Sequence, residues 1–170
     1  MAGDVESFKD FATAHSGRLF RTAWLLTGDW HLAQDLVQET LGKMYRKWRG
    51  RSRPDDPPAY ARTVLTRTYI SHRRLRASGE RPTEALPESA MNDGDVALRL
   101  TLMDGLAQLG ARDRAVLVLR YWEDRSVEET ATELMLSPGA VRSRSFRALE
   151  RLRVVLGDDT GDLSALRRST

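Results

Sequence analysis

Hydrophobic residues recur every three or four positions along most of this chain, which is the period of an α-helix with one buried face. In the N-terminal part, this pattern predicts three helices over residues 5–27, 30–48 and 59–76. Gly28 suits the end of the first helix, and Asp29 suits the cap of the second. The second helix should turn one stripe inward: Leu32, Leu36, Thr40, Met44 and Trp48.

The C-terminal part shows the same period and predicts four further helices. Two should cover residues 95–109 and 111–122, and a pair of shorter helices should lie within residues 126–153. Ser126 precedes Glu129 by three residues, which is the spacing of a capping box. Ser137 suits the cap of the last helix, with Pro138 at its first position. Since no convincing strand pattern occurs, the sequence predicts an all-α fold.

The last helix carries two contrasting faces. Its apolar residues fall on one side: Val141, Ala148, Leu149, Leu152, Val155 and Leu156. Ser143 and Arg147 point the opposite way, and further arginines flank them, because each residue turns about 100° around the axis. Such a helix behind a short capped helix suits insertion into the major groove of DNA. The alternative is an ordinary helical pair with a solvated basic face.

Composition narrows the class of protein further. The chain has 170 residues, no cysteine and a net charge of +3. That charge is uneven, since residues 1–76 carry +6, residues 77–95 carry −4 and residues 96–170 carry +1. Without cysteine, disulfides and thiolate metal sites are excluded. No run long enough to span a membrane and no signal-peptide layout occurs, so a cytoplasmic protein without membrane insertion is expected.

The middle of the chain interrupts the helical pattern. Residues 77–95 hold two prolines, two glycines and five acidic residues, which is a linker composition. The expected organisation is therefore a helical domain over 1–76, an acidic linker over 77–95, a second helical domain over 96–157 and a short tail over 158–170.

Four segments in order carry a resemblance to a known family: DWHLAQDLVQETLGKMYRKW (29–48), PPAYARTVLTRTYISHRRLR (57–76), LAQLGARDRAVLVLRYWEDRSVEETATEL (106–134) and SPGAVRSRSFRALERLR (137–153). The chain resembles an extracytoplasmic-function (ECF) sigma factor of the sigma-70 family, and its motif sequences are most similar to those of the actinobacterial SigE-family branch. The resemblance covers about residues 5–156. It implies two domains, sigma-2 and sigma-4, and the function of binding core RNA polymerase and directing promoter-specific transcription initiation.

For the second helix, the resemblance implies docking on the clamp helices of the largest polymerase subunit, while the sigma-4 domain should meet the flap region. The docking residues are then Asp35, Leu36, Gln38, Glu39 and Thr40. The residues themselves agree in part, because Leu36 and Thr40 face inward while the polar side chains remain available to a basic partner. The alternative is a solvated acidic face.

The third helix and the loop before it correspond to the part that recognises and helps open the promoter −10 element. Proteins bind single-stranded DNA through cationic and aromatic side chains. The residues that match are Arg49, Arg51, Arg53, Arg62, Thr66, Arg67, Ser71, Arg73 and Arg74. Tyr69 is expected in the core rather than stacked on a base, and the basic end of this helix has the alternative of being only solvated.

The helix-turn-helix should recognise the −35 element. Side chains near the start of its second helix should face base edges, and later ones should follow phosphates. We place Ala140, Arg142, Ser143 and Arg147 nearest the bases, with Arg144 and Arg151 nearer the backbone. Phe146 lies off the apolar face, and we expect it to pack against the neighbouring helix rather than touch a thymine methyl.

Two positions depart from the family pattern. Met135 stands where the turn of the helix-turn-helix usually has glycine, which suggests a distorted or differently built turn. Gly110 follows Leu109 where the family favours proline. In addition, the resemblance implies that the linker acids Glu80, Glu84, Glu88, Asp93 and Asp95 could mimic RNA in the polymerase channel, but the sequence alone favours a solubilising disordered spacer.

Other classes of protein fit less well. An enzyme would need a cluster of histidine or carboxylate side chains on ordered elements, and the paired aspartates at 55–56 and 158–159 lie in loop-like segments. A dimeric repressor would use the helix-turn-helix alone and leave the N-terminal motifs unexplained. We therefore expect no enzyme activity, cofactor, metal or small-molecule substrate. Core polymerase and promoter DNA are the expected partners, and the resemblance adds a possible anti-sigma factor.

Overall fold

Helices provide all the regular structure among residues 2–50, 53–76 and 93–157, which are the residues that the computed structural model describes. No strand occurs among them, so the all-α prediction is confirmed. The chain divides into two compact units, Met1–Leu86 and Pro87–Thr170. Arg51, the predicted linker as far as residue 92, and the tail 158–170 lie outside the described residues.

The first unit contains α1 (Ala2–Thr27), α2 (Trp30–Trp48) and α3 (Pro57–Arg76), each in contact with the other two. The range of α2 matches the sequence prediction at both ends. Helix α3 begins two residues earlier than predicted, because proline is well tolerated in the first turn of a helix, where its missing N–H has no intrahelical partner. The carboxylate of Asp56 accepts a hydrogen bond of 3.0 Å from the backbone N–H of Ala59 and so caps this turn.

Large apolar side chains of all three helices meet in the centre of the first unit. Leu26, Leu36, Met44 and Leu65 are almost completely buried. Between α1 and α2, Gly28 takes a left-handed backbone with φ of 70°. The Asp29 side chain then accepts a hydrogen bond of 2.8 Å from the N–H of Leu32. The sequence prediction for this turn is thereby confirmed.

The second unit contains α4 (Asp93–Ala107), α5 (Ala111–Leu117), α6 (Val127–Leu134) and α7 (Pro138–Leu156). Helix α7 packs against α4, α5 and α6. Helix α5 continues into a π-helical segment, Val118–Trp122, where a single α-helix was expected. Helix α4 begins two residues before the predicted start, so the last residues of the predicted acidic linker belong to a helix.

Caps and turns define the helix-turn-helix of α6 and α7. Ser126 and Glu129 form the predicted capping box, with reciprocal hydrogen bonds of 3.0 and 2.8 Å. The hydroxyl of Ser137 accepts a hydrogen bond of 3.1 Å from the N–H of Ala140. Met135 ends α6 in the left-handed conformation, with φ 53° and ψ 48°. The turn therefore keeps the geometry that glycine usually supplies, and the expectation of a differently built turn is wrong.

Candidate nucleic-acid and polymerase interfaces

Helix α7 is held in place by its apolar face. Val141, Ala148 and Leu152 are buried among α4, α5 and α6, as the sequence predicted. Leu149, Val155 and Leu156 are half-buried at the edges of this face. Because the inner face is fixed, the residues on the opposite side of α7 must point away from the unit.

The outward side of α7 carries Ser143, Phe146 and Arg147, all of them exposed. Phe146 is 64% exposed, so the expectation that it packs against a neighbouring helix is wrong. The reason is its position, about 140° around the axis from Val141, which turns the ring away from every helix that covers the inner face. Arg147 has no ion-pair partner among the described residues.

The two flanks of α7 each meet a carboxylate from another helix. On one flank, a guanidinium nitrogen of Arg142 lies 3.3 Å from Glu128 of α6, and both side chains are exposed. On the other flank, Arg144 lies 2.6 Å from one oxygen of Asp113, and Arg151 lies 3.8 Å from the second oxygen. Neither acidic partner was predicted from the sequence, because Glu128 and Asp113 lie 14 and 31 residues away from Arg142 and Arg144.

Helix α3 presents several predicted DNA-binding side chains. Arg67, Arg73 and Arg74 are exposed, while Arg62 and Ser71 are half-buried. Thr66 differs, because it is fully buried and its hydroxyl donates a hydrogen bond of 2.9 Å to the carbonyl of Arg62. The prediction that Thr66 grips a DNA strand is therefore wrong in this conformation. Tyr69 is 2% exposed, which confirms it as a core residue.

The loop before α3 is anchored to an aromatic cluster. The guanidinium of Arg53 lies 3.7 Å from the ring centre of Trp48, and that of Arg49 lies 5.6 Å from Tyr45. Trp48 in turn packs against Phe8 and Phe11 of α1. Stacking on tryptophan is a favourable position for arginine. Arg53 thus has a structural contact that the sequence did not reveal.

The predicted docking residues of α2 fall into two groups. Leu36 is 1% exposed and Thr40 is 0% exposed, and the Thr40 hydroxyl donates to the carbonyl of Leu36 at 2.7 Å. These two cannot touch a partner directly, so their inclusion among the contact residues is corrected. Asp35 and Gln38 are exposed, and Glu39 is half-exposed on the same helix.

Glu39 also joins α2 to α3. Its carboxylate lies 2.8 Å from Nζ of Lys43 and 2.9 Å from Nε2 of His72, and Lys43 donates to the hydroxyl of Thr68 at 2.9 Å. The hydrogen bond from Lys43 is the main cause that holds the pKa of Glu39 below its usual range, and the charges of Lys43 and His72 add to it. Glu39 therefore remains anionic and tied to α3.

A pocket of about 250 Å³ lies between the beginning of α2 and the end of α3. Asp29 and Asp35 line one side, and His72, Arg73 and Arg76 line the other. Asp35 is a predicted polymerase-docking residue and Arg73 is a predicted DNA-binding residue, and both therefore line the same pocket.

The described residues contain no group of three or more histidine, aspartate or glutamate side chains placed to hold a metal ion. They also contain no helix that is long and apolar enough to cross a membrane.

Comparison with known proteins gives matches to both units. Residues 11–78 match the family described as sigma-70 region 2, and residues 105–154 match sigma-70, region 4. An RNA polymerase sigma-E factor from Streptomyces coelicolor is 40% identical over 168 residues, which are 98% of this chain and 95% of that protein. The ECF RNA polymerase sigma factor SigL from Mycobacterium tuberculosis is 36% identical over 152 residues, 84% of each chain.

A solved structure resembles the chain as well. The sigma factor RpoE in complex with the anti-sigma factor NepR, from Bartonella quintana, matches with a TM-score of 0.73 and 26% identity. The match covers 91% of this chain and 99% of that one.

Proposed function

The chain belongs to the sigma-70 family of RNA polymerase sigma factors and directs transcription initiation, and we propose that it does so by dividing promoter recognition between its two units. Helix α7 reads the −35 element, and α3 with its preceding loop reads the −10 element and helps to open it. The protein itself catalyses no chemical reaction. It acts in the cytoplasm, where polymerase and the nucleoid are found.

The outward face of α7 carries this proposal. Ser143, Phe146 and Arg147 stand side by side on a helix whose opposite face is buried, and exposed Arg142 lies beside them on the flank that meets α6. The half-buried Ala140 lies at the start of this surface. An arginine that meets guanine through two hydrogen bonds contributes about 1–3 kcal/mol of discrimination. The exposed ring of Phe146 supplies the apolar surface that a thymine methyl group requires.

Recognition of the −10 element falls to α3 and the loop 49–56. Exposed Arg67 and Arg74 share an outward face with Ser71, which suits contact with the phosphates of a separated strand. Arg62 and Arg73 lie at the other edge of the helix, and exposed Arg49 adds a further cation before the loop. Arg51 is assigned to the same task from the sequence alone. Arg53 contributes by holding the loop against Trp48.

Docking on the clamp helices of the largest polymerase subunit is assigned to the exposed polar side chains of α2. Asp35, Gln38 and Glu39 offer two carboxylates and an amide to a basic partner helix. Leu36 and Thr40 support them from the core. The second unit meets the flap region, which brings both DNA-reading helices onto one polymerase.

A protein partner of the anti-sigma class is also proposed. The structurally similar RpoE of Bartonella quintana is bound to the anti-sigma factor NepR. A regulator of the same class would hold this chain inactive by covering surfaces that polymerase or DNA must reach.

Run-off transcription from a library of promoter fragments tests the proposal. Purified core polymerase should yield specific transcripts only when this protein is present, and their start sites should share two spaced elements upstream. No specific transcript, together with a two-fold palindromic footprint of the protein alone, would favour the repressor alternative. Direct measurement of binding to core polymerase separates a failure of docking from a failure of promoter recognition.

A further inference from the structure

One carboxylate of the second unit lies between two arginines of the DNA-reading helix. The oxygens of Asp113 on α5 are 2.6 Å from Arg144 and 3.8 Å from Arg151. The Asp113 side chain is only 14% exposed, and that of Arg144 is 31% exposed. The contact to Arg144 has the distance of a direct charge-assisted hydrogen bond, whereas Arg151 is 62% exposed and its contact is long.

The position of Asp113 favours this pairing. It lies in the first turn of α5, where the free N–H groups of a helix favour a negative charge. Arg144 and Arg151 are seven residues apart on α7, which is nearly two turns, so both project from the flank that faces α5. The short aspartate side chain therefore holds Arg144 beside α5, away from the outward face with Ser143 and Arg147.

We propose that Asp113 is a positioning residue that withholds Arg144 from the DNA backbone and so lowers the sequence-independent affinity for DNA. This inference rests on the proposed recognition of the −35 element by α7. A phosphate contact adds the same affinity to every DNA sequence, whereas a base contact adds affinity only to the correct one. By holding one arginine, Asp113 lowers sequence-independent binding. Discrimination between sequences stays with the exposed side chains of α7, which are Arg142, Ser143, Phe146 and Arg147.

The alternative is that Arg144 leaves Asp113 and contacts a phosphate when DNA binds. The two cases differ in their salt dependence, since each phosphate that a protein neutralises adds about 0.9 to the slope of log affinity against log salt. A purely structural role for Asp113 would instead change stability and leave the slope unaltered.

The test uses holoenzyme assembled from core polymerase and the full chain, with Asp113→Asn in place of the native residue. Binding is measured across a range of salt concentrations on a promoter selected by run-off transcription and on the same fragment with a scrambled −35 element. We expect the slope to steepen by about 0.9, because Arg144 is released onto a phosphate. Affinity for the promoter and affinity for the scrambled fragment should rise by the same factor, because a phosphate contact does not depend on sequence.

Asp104→Asn is the matched control, because Asp104 is exposed on α4 of the same unit and the substitution changes net charge equally. The slope of this control should stay at the native value. The double variant, which carries both Asp113→Asn and Arg144→Gln, should restore the native slope. An Asp113→Asn slope equal to the native one would overturn the proposal.

Arg144→Gln alone keeps the proposal testable where Asp113→Asn impairs folding. If Arg144 is withheld from DNA, its removal should leave the salt slope unchanged. A slope reduced by about 0.9 would mean that Arg144 contacts a phosphate in the native complex, and the inference would then be wrong. Absence of any specific transcript in the preceding run-off experiment would instead contradict the proposed function.

Discussion

At Met135 the backbone adopts a conformation that residues with a Cβ atom resist. Its φ of 53° and ψ of 48° are left-handed, and the side chain is 72% exposed. A left-handed conformation costs a non-glycine residue about 1–2 kcal/mol. The helix-turn-helix tolerates this cost because α6 and α7 are fixed by their packing and by the caps at Ser126 and Ser137.

Replacement of Met135 by glycine should therefore stabilise the second unit. The gain is expected to stay below about 1 kcal/mol, since glycine also increases the conformational freedom of the unfolded chain. Thermal unfolding of the full chain, followed by circular dichroism, would detect it as a higher transition temperature. Met135→Ala is the control, because it removes the same exposed side chain but keeps the Cβ atom, and it should give no such gain.

Single residues show how far the pattern of the sequence can be trusted. Periodicity correctly placed Leu36, Thr40 and Tyr69 in the core. It did not exclude Thr66 from the DNA-facing set, because a small polar side chain fits either side of a helix and only its neighbours decide. The prediction for Phe146 was wrong because it took an aromatic ring outside the apolar face to need a protein partner, whereas the ring is exposed.

At the level of elements, two helices of the second unit approach closely at Gly105. A Cβ atom there would lie 2.8 Å from a terminal methyl carbon of Leu152, which is itself 4% exposed. Gly42 on α2 offers the opposite case, because a Cβ atom would meet nothing within 4 Å. The same substitution thus encounters a packed interface in α4 and open space in α2.

Alanine at these two positions should have opposite effects. Gly42→Ala should stabilise the first unit by about 0.5–1 kcal/mol, because glycine is a poor residue inside a helix. Gly105→Ala gains the same helix propensity but must displace Leu152, and overpacking costs about 1–3 kcal/mol, so the second unit should be destabilised. Denaturant unfolding of each variant measures both changes. A stabilising Gly105→Ala would mean that α4 and α7 can move apart at little cost.

The elements also show which relations the sequence could not supply. Caps, turns and apolar stripes are local, so α2 and the starts of α6 and α7 were predicted almost to the residue. Helix α7 nevertheless runs to Leu156, three residues beyond the predicted range. The π-helical segment at 118–122 shares its hydrophobic pattern with an α-helix and escaped notice. Ion pairs such as Asp113 with Arg144 and Glu39 with His72 join different helices, so the spacing of residues within one helix cannot predict them.

For the whole molecule, the positions of exposed polar and charged side chains favour two separate tasks. Asp35, Gln38 and Glu39 lie on α2 of the first unit, while Arg142 and Arg147 lie on α7 of the second. Because each surface is built within its own unit, a change in one should leave the other intact.

A pair of substitutions tests this division. Arg147→Ala should weaken holoenzyme binding to the −35 element by about 1–3 kcal/mol, or roughly five- to 150-fold, and leave binding to core polymerase unchanged. Gln38→Lys should weaken binding to core polymerase and leave −35 recognition unchanged, because a cation that faces a basic partner helix is repelled. Core affinity is measured by titration with labelled polymerase, and −35 affinity is measured on preassembled holoenzyme. Loss of core binding in Arg147→Ala would mean that α7 also serves in docking, and the two tasks would then share a surface.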